Sequence, residues 1–147
     1  MSGERDADVL VVGAGPAGAS TALRLARAGV DVLLLEASSL PRSKPCGDCL
    51  SPGATPILRE LGVLDRVEGR RPARLAGWRM RTPDGVWFEG RFGASRGEEN
   101  GAAPPRRGLA LPRRELDAAL VGAAVDAGAR LRERVRAFGL LCRAGRV

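Results

Sequence analysis

Three glycines at positions 13, 15 and 18, inside GAGPAG, and a carboxylate at Glu36 are residue types that can hold a diphosphate and the sugar beside it. Gly13 permits a tight turn, Gly15 removes a side chain so that main chain can approach a pyrophosphate, and Gly18 lets the following helix close on its strand. Pro16 suits the first turn of that helix, where a missing N–H costs little. Main chain around Pro16, Ala17 and Gly18, with the positive end of the helix dipole, then faces an anion. Glu36 stands where a carboxylate accepts hydrogen bonds from a ribose diol. Ala37 follows it, and the spacing places no Arg to receive a 2′-phosphate.

These residues need two strands and a helix to hold them. Residues 9–12, VLVV, and 32–35, VLLL, are short apolar runs that predict parallel strands covered on both faces. Between them Ala19, Ala22, Leu23 and Ala26 recur at helical spacing, and Gly29 predicts the helix end. A bare GxGxxG is also what an ordinary glycine turn looks like. Strand, glycines, helix, strand and acid in one register point instead to a dinucleotide site.

With 147 residues the chain is long enough for one domain with a core, but short for an enzyme that must enclose both a dinucleotide and a substrate, so it reads as incomplete. The net charge of +7 is spread along the chain, and there are only two Trp, three Phe and no Tyr. That pattern argues against a nucleic-acid module, which gathers its basic residues on one face and interleaves aromatics for stacking. No run approaches the about 20 apolar residues of a membrane span. The charged start MSGERDAD predicts no secretion signal and, by default, a cytoplasmic protein, and a lipid substrate remains compatible with peripheral membrane contact.

Further along, residues 38–53 are rich in turn formers and predict a loop, and residues 54–64 predict a short helix ending near Gly62. Residues 74–81 and 86–92 around the turn TPDG predict a hairpin, and residues 93–108 an irregular excursion. Leu116, Leu120, Ala123 and Ala127 mark another helix ended by Gly128. Residues 129–133 predict the next parallel strand, and residues 135–147 the beginning of another hairpin, with Cys142 a structural residue on it.

GAGPAG at 13–18, LLLE at 33–36, KPCGDCLSPGA at 44–54 and LPRRELDAALVGAAVDAGA at 111–129 occur in this order. With them the chain resembles the N-terminal part of the FAD-dependent oxidoreductases of the p-hydroxybenzoate hydroxylase fold, and within these the geranylgeranyl reductase family. The resemblance implies an α/β fold, a Rossmann-like FAD-binding βαβ unit with the start of a β-rich substrate domain. Its parts are the glycine-rich unit at 8–37, the Cys-Gly loop at 38–53, the hairpin excursion at 74–92 and an Arg-led helix and strand at 112–134.

The resemblance also implies roles. Glu36 would hold the adenosine ribose, and Gly13, Gly15, Pro16, Ala17 and Gly18 the pyrophosphate. Arg42, Cys46, Gly47 and Cys49 would lie on the flavin side, Arg113 would contact cofactor phosphates or ribityl, and main chain near Val135 the adenine. Two features depart from the family pattern: Asp48 and Cys49 follow Gly47, making a C-x-x-C, and the downstream Gly-Asp pair is absent from these residues. The C-x-x-C leaves open a flavin-side loop, a redox dithiol or plain packing, and a zinc half-site lacks a second ligand pair. Arg113 has a solvated-face alternative beside Arg106, Arg107 and Arg114. Trp78, Trp87 and Phe88 fit cross-strand packing or the lining of an apolar pocket.

The expected activity is reduction of prenyl double bonds by hydride from reduced FAD, with NAD(P)H an eligible external donor and a small molecule, such as a prenyl lipid, as substrate. Aromatic hydroxylation or halogenation on the same fold, and a non-catalytic nucleotide-binding fragment, are the alternatives. No catalytic acid or base, and no metal ligand, is assigned.

Overall fold

The computed structural model describes residues 7–46, 48–93 and 107–141, which divide into two compact units. One comprises residues 1–42 and 117–147, the other residues 43–116.

The first unit is built on a three-stranded parallel sheet in the order β1 (Val9–Val12), β2 (Val32–Leu35), β8 (Arg130–Arg132). Val9 pairs with Val32 and Val12 with Leu35, while Leu33 to Leu35 pair with Arg130 to Arg132. Helix α1 (Pro16–Arg27) makes the crossover and buries Ala19, Ala22 and Leu23, three of the four positions that periodicity selects. Burying a Leu or Val side chain fully is worth about 1.5–3 kcal/mol, and Leu23, Val32 and Leu34 are all without solvent contact. The strands differ from expectation in one respect. All four residues of β2 are buried, but β1 pairs on one side only among the described residues, and its Leu10 and Val12 are exposed.

The second unit holds a three-stranded antiparallel sheet in the order β3 (Cys49–Leu50), β7 (Gly108–Ala110), β4 (Ala73–Leu75), and a separate hairpin of β5 (Gly77–Arg81) and β6 (Trp87–Arg91). Strand β3 lies inside the stretch expected to be loop. Its partners, Leu109 and Ala110, are some 60 residues away, so no local pattern could reveal it. Strand β4 likewise leaves the hairpin and pairs with β7. The helix expected at 54–64 is shorter, α2 (Ala54–Glu60). The chain turns at Gly62, and α3 (Leu64–Glu68) follows, with Leu58, Leu61, Val63 and Val67 buried.

Helix α4 (Arg113–Asp126) has residues in both units. It buries Leu116, Ala119, Leu120, Val121, Ala123 and Ala124, and among them the side chain of Asp117. Past β8, residues 135–141 form no strand, and Cys142 lies outside the described residues, as do residues 94–106 of the expected excursion. Among the described residues, no helix is long and apolar enough to cross a membrane.

Candidate functional site

The glycine turn is assembled by main-chain contacts. Gly13 has φ +97°, a conformation L side chains rarely adopt, and its N–H donates to the Leu35 carbonyl at 2.7 Å, tying the end of β1 to β2. A Cβ built on Gly18 would lie 1.9 Å from the Gly13 carbonyl oxygen, so the helix and the turn touch through bare main chain. Gly15 precedes α1 in extended conformation and gives it no side-chain cap, and Pro16 opens the helix. The first intrahelical bond runs from the Ala19 N–H to the Gly15 carbonyl, so the amides of Ala17 and Gly18 precede the ladder. No acidic side chain stands in the first turn to satisfy the dipole. A helix start built this way suits an external anion.

Glu36 follows β2 and is 5% exposed. Its Oε2 accepts from the Ala14 N–H at 3.0 Å and from Arg42 Nη2 at 3.0 Å, and its Oε1 accepts from the Ser38 N–H at 3.0 Å. Burial works against its charge. The Arg42 hydrogen bond, then the Ser38 and Ala14 amides and the Arg42 charge, outweigh that and hold the carboxyl below its ordinary value of 4.5. A carboxylate has about four acceptor positions; with three filled, Oε1 keeps room for a hydroxyl. The carboxylate is thus ionised, fixed to the glycine turn through Ala14, and able to accept from a diol.

Arg42, expected on the flavin side, stands beside Glu36. The main chain after β2 doubles back, with Ser38 bonded to the Glu36 carboxylate, and brings the guanidinium onto Glu36 from six positions along. The other arm of the fork, Nη1, donates to Asp117 Oδ2 at 2.9 Å. Val135 is also brought to Glu36: its N–H donates to the Glu36 carbonyl at 3.0 Å, extending the ladder begun by the Glu36 N–H to the Arg132 carbonyl. Asp117 was missed in the sequence. Its signal was a charged residue in phase with Leu120, Val121 and Ala124 on the buried face of α4.

The remaining site residues belong to the second unit. Asp48 caps the start of α4, its Oδ1 accepting the Arg113 N–H at 3.0 Å and its carbonyl the Leu111 N–H at 3.0 Å. This explains an Asp where the family pattern has another residue. Cys46 and Cys49 are exposed and are not joined in a disulfide. An amide hydrogen bond from Asp48 and then the Arg113 side chain favour the Cys46 thiolate and lower its pKa below 9.0. Arg113 is half-buried and Arg114 exposed. Gly47 lies outside the described residues. Among those described, no group of His, Cys, Asp and Glu could hold a metal ion.

On the hairpin, Trp78 and Phe88 meet edge to face at 6.2 Å, and Gly90 opposite Trp78 leaves the space its indole fills. Arg79 and Arg81 stand over the Trp87 ring at 5.7 and 5.8 Å. These aromatics thus meet cross-strand neighbours while remaining exposed.

The donor set of the first unit, a capless helix start, glycine main chain and an ionised acid, fits the diphosphate and ribose of FAD. Comparison with known proteins agrees. A family model described as FAD binding domain matches residues 6–143. The menaquinone reductase of Mycobacterium tuberculosis is 38% identical over 135 residues, covering 89% of this chain and 30% of that protein. Among solved structures, a geranylgeranyl bacteriochlorophyll reductase-like protein from Thermoplasma acidophilum superposes with TM-score 0.72 at 27% identity, over 94% of this chain and 32% of that one. The myxobacterial chondrochloren halogenase superposes with TM-score 0.71 at 26% identity, over 87% and 28%. The chain spans about 30% of the length of the curated relatives it matches.

Proposed function

The chain belongs to the FAD-binding domain family of flavoprotein oxidoreductases, with FAD as its cofactor, and on that premise we propose that the protein is a reductase that saturates double bonds in prenyl chains. One observation carries the choice of reaction. A reductase at 38% identity and a reductase-like protein at 27% carry names that denote molecules with isoprenoid chains.

In this reading the main chain of Gly13, Gly15, Ala17 and Gly18, with Pro16 opening the helix, cradles the diphosphate. Glu36 accepts from the adenosine ribose, and main chain at Val135, held beside Glu36, borders the adenine. Arg113 would contact cofactor phosphate or ribityl, and Cys46 and Cys49, with Gly47 between them in sequence, would lie on the flavin side. Arg42 acts on the ribose side, through Glu36, rather than on the flavin. When bound and reduced by an external donor such as NAD(P)H, FAD would supply hydride chemistry, with the accompanying proton coming from solvent. The protein positions cofactor and substrate.

A second reading, oxygen-dependent halogenation or hydroxylation of an aromatic substrate, is favoured by the likeness to the halogenase at TM-score 0.71. The two part under anaerobic conditions. FAD-loaded protein with a reductant and a polyprenyl substrate should yield a product carrying two more hydrogens per double bond, detected by mass. Product that forms only with oxygen, and carries oxygen or halogen, would overturn the reductase reading.

A further inference from the structure

Arg42 reaches the ribose acid with a charge that ordinarily invites a 2′-phosphate. In sites of this build, an Arg beside the second strand accommodates a 2′-phosphate, whereas a carboxylate holds the bare diol. Here both residue types meet. Nη2 of Arg42 is on Glu36 at 3.0 Å and Nη1 on Asp117 at 2.9 Å, so both terminal nitrogens of the guanidinium are committed to carboxylates. Asp117 is 0% exposed, and on α4 its neighbours one turn onward, Leu120 and Val121, are apolar, while Arg113 and Arg114 stand one turn before it. Burying a carboxylate there is costly unless it is paired. Arg42 is a cation that pairs with it.

We propose that Asp117 sets the preference of this site for an unphosphorylated adenosine ribose by holding Arg42 in place, and so is a positioning residue for nucleotide choice. The inference rests on the reading of Glu36 as the ribose acid. The trio of Glu36, Arg42 and Asp117 carries one net negative charge, which repels a phosphate at the 2′ position while leaving Glu36 Oε1 to accept from a hydroxyl. Without the Asp117 charge the trio is neutral and Nη1 is released. A guanidinium with a free arm can then donate to a phosphate.

The test is titration of the whole protein with two probes, ADP and its 2′-phosphorylated form, by calorimetry. Asp117→Asn keeps the shape and removes the charge, and Asp117→Ala leaves no amide to bury. In either variant that retains the parent's circular dichroism, 2′-phospho-ADP should gain on ADP by about tenfold, the worth of one charged hydrogen bond. Adding Arg42→Met should cancel the gain.

Equal loss of both nucleotides in the Asp117 variants is what a merely structural role produces, and it overturns the inference. So does a gain that survives Arg42→Met. A parent that binds neither probe overturns the ribose reading, and this inference with it. A parent that binds ADP, with Asp117 variants of unchanged selectivity, overturns the inference alone.

Discussion

Gly18→Ala separates two roles of the glycine turn. The added Cβ would stand 1.9 Å from the Gly13 carbonyl oxygen, and restoring ordinary contact requires helix and turn to part by about 1.5 Å. That movement pulls on the Gly13 N–H bond to Leu35 at 2.7 Å and on the Ala14 N–H bond to Glu36 at 3.0 Å. Overpacking of this kind costs about 1–3 kcal/mol, against at most about 1 kcal/mol gained from replacing glycine in a helix. With a contact this short against backbone the cost lies in the upper part of that range, and a net loss of about 2 kcal/mol lowers Tm by about 4–10 °C for a domain of this size. FAD affinity should fall with it. Gly15→Ala is the contrast. Its φ of −78° and ψ of −176° suit any residue, so Tm should stay near the parent's while FAD affinity falls, because the new methyl stands where the diphosphate approaches. Differential scanning fluorimetry and flavin titration read the two effects. The reasoning is refuted if Gly18→Ala keeps the parent's Tm and affinity, or if Gly15→Ala binds FAD as the parent does.

Glu36→Gln should weaken FAD binding by about tenfold, the worth of a hydrogen bond to a charged group, as seen by fluorescence quenching. The folded carboxyl titrates below 4.5, so its contribution to stability is complete above that value and is lost as pH falls through the folded pKa; acid unfolding of Glu36→Gln should therefore show a shallower dependence on pH in that window. The Cys46 thiolate, favoured by Asp48 and Arg113, should be alkylated with a midpoint below 9.0, and Arg113→Met should move that midpoint upward in a pH series with Cys49 replaced by Ser. Asp48→Ala removes the acceptor of the Arg113 N–H and should destabilise the protein by about 1–2 kcal/mol in urea, with Asp48→Asn recovering most of it.

What was legible in the sequence was what neighbouring residues decide. The glycine turn, α1 and the two strands it joins are encoded within 28 consecutive residues, each constraining the next through helix period, strand run and turn geometry. Residues whose partners lie far away were not. β3 exists only because Leu109 and Ala110 accept it, and Asp48 caps a helix that begins 65 positions later. The apolar run of β1 predicted burial on two faces, but hydropathy does not record which side a strand is paired on, and Leu10 and Val12 are exposed.

The Glu36 environment shows why spacing rules can miss a charge. Such a rule examines the residue after the acid, and Ala37 is neutral, yet the cation arrives from Arg42 once the Ser38 amide has turned the chain back onto the carboxylate. Alone, that cation would neutralise the acid and blur the distinction between a diol and a phosphate. Asp117 restores the net charge from a helix 75 residues away in sequence, at a position sheltered from the solvent that would screen it. In the proposed reading, the short-range motif would select a diphosphate, and the long-range contact would act on which sugar sits beside it. Substitutions in the glycine turn should therefore change how tightly any dinucleotide binds, whereas substitutions at Asp117 should change which one is preferred.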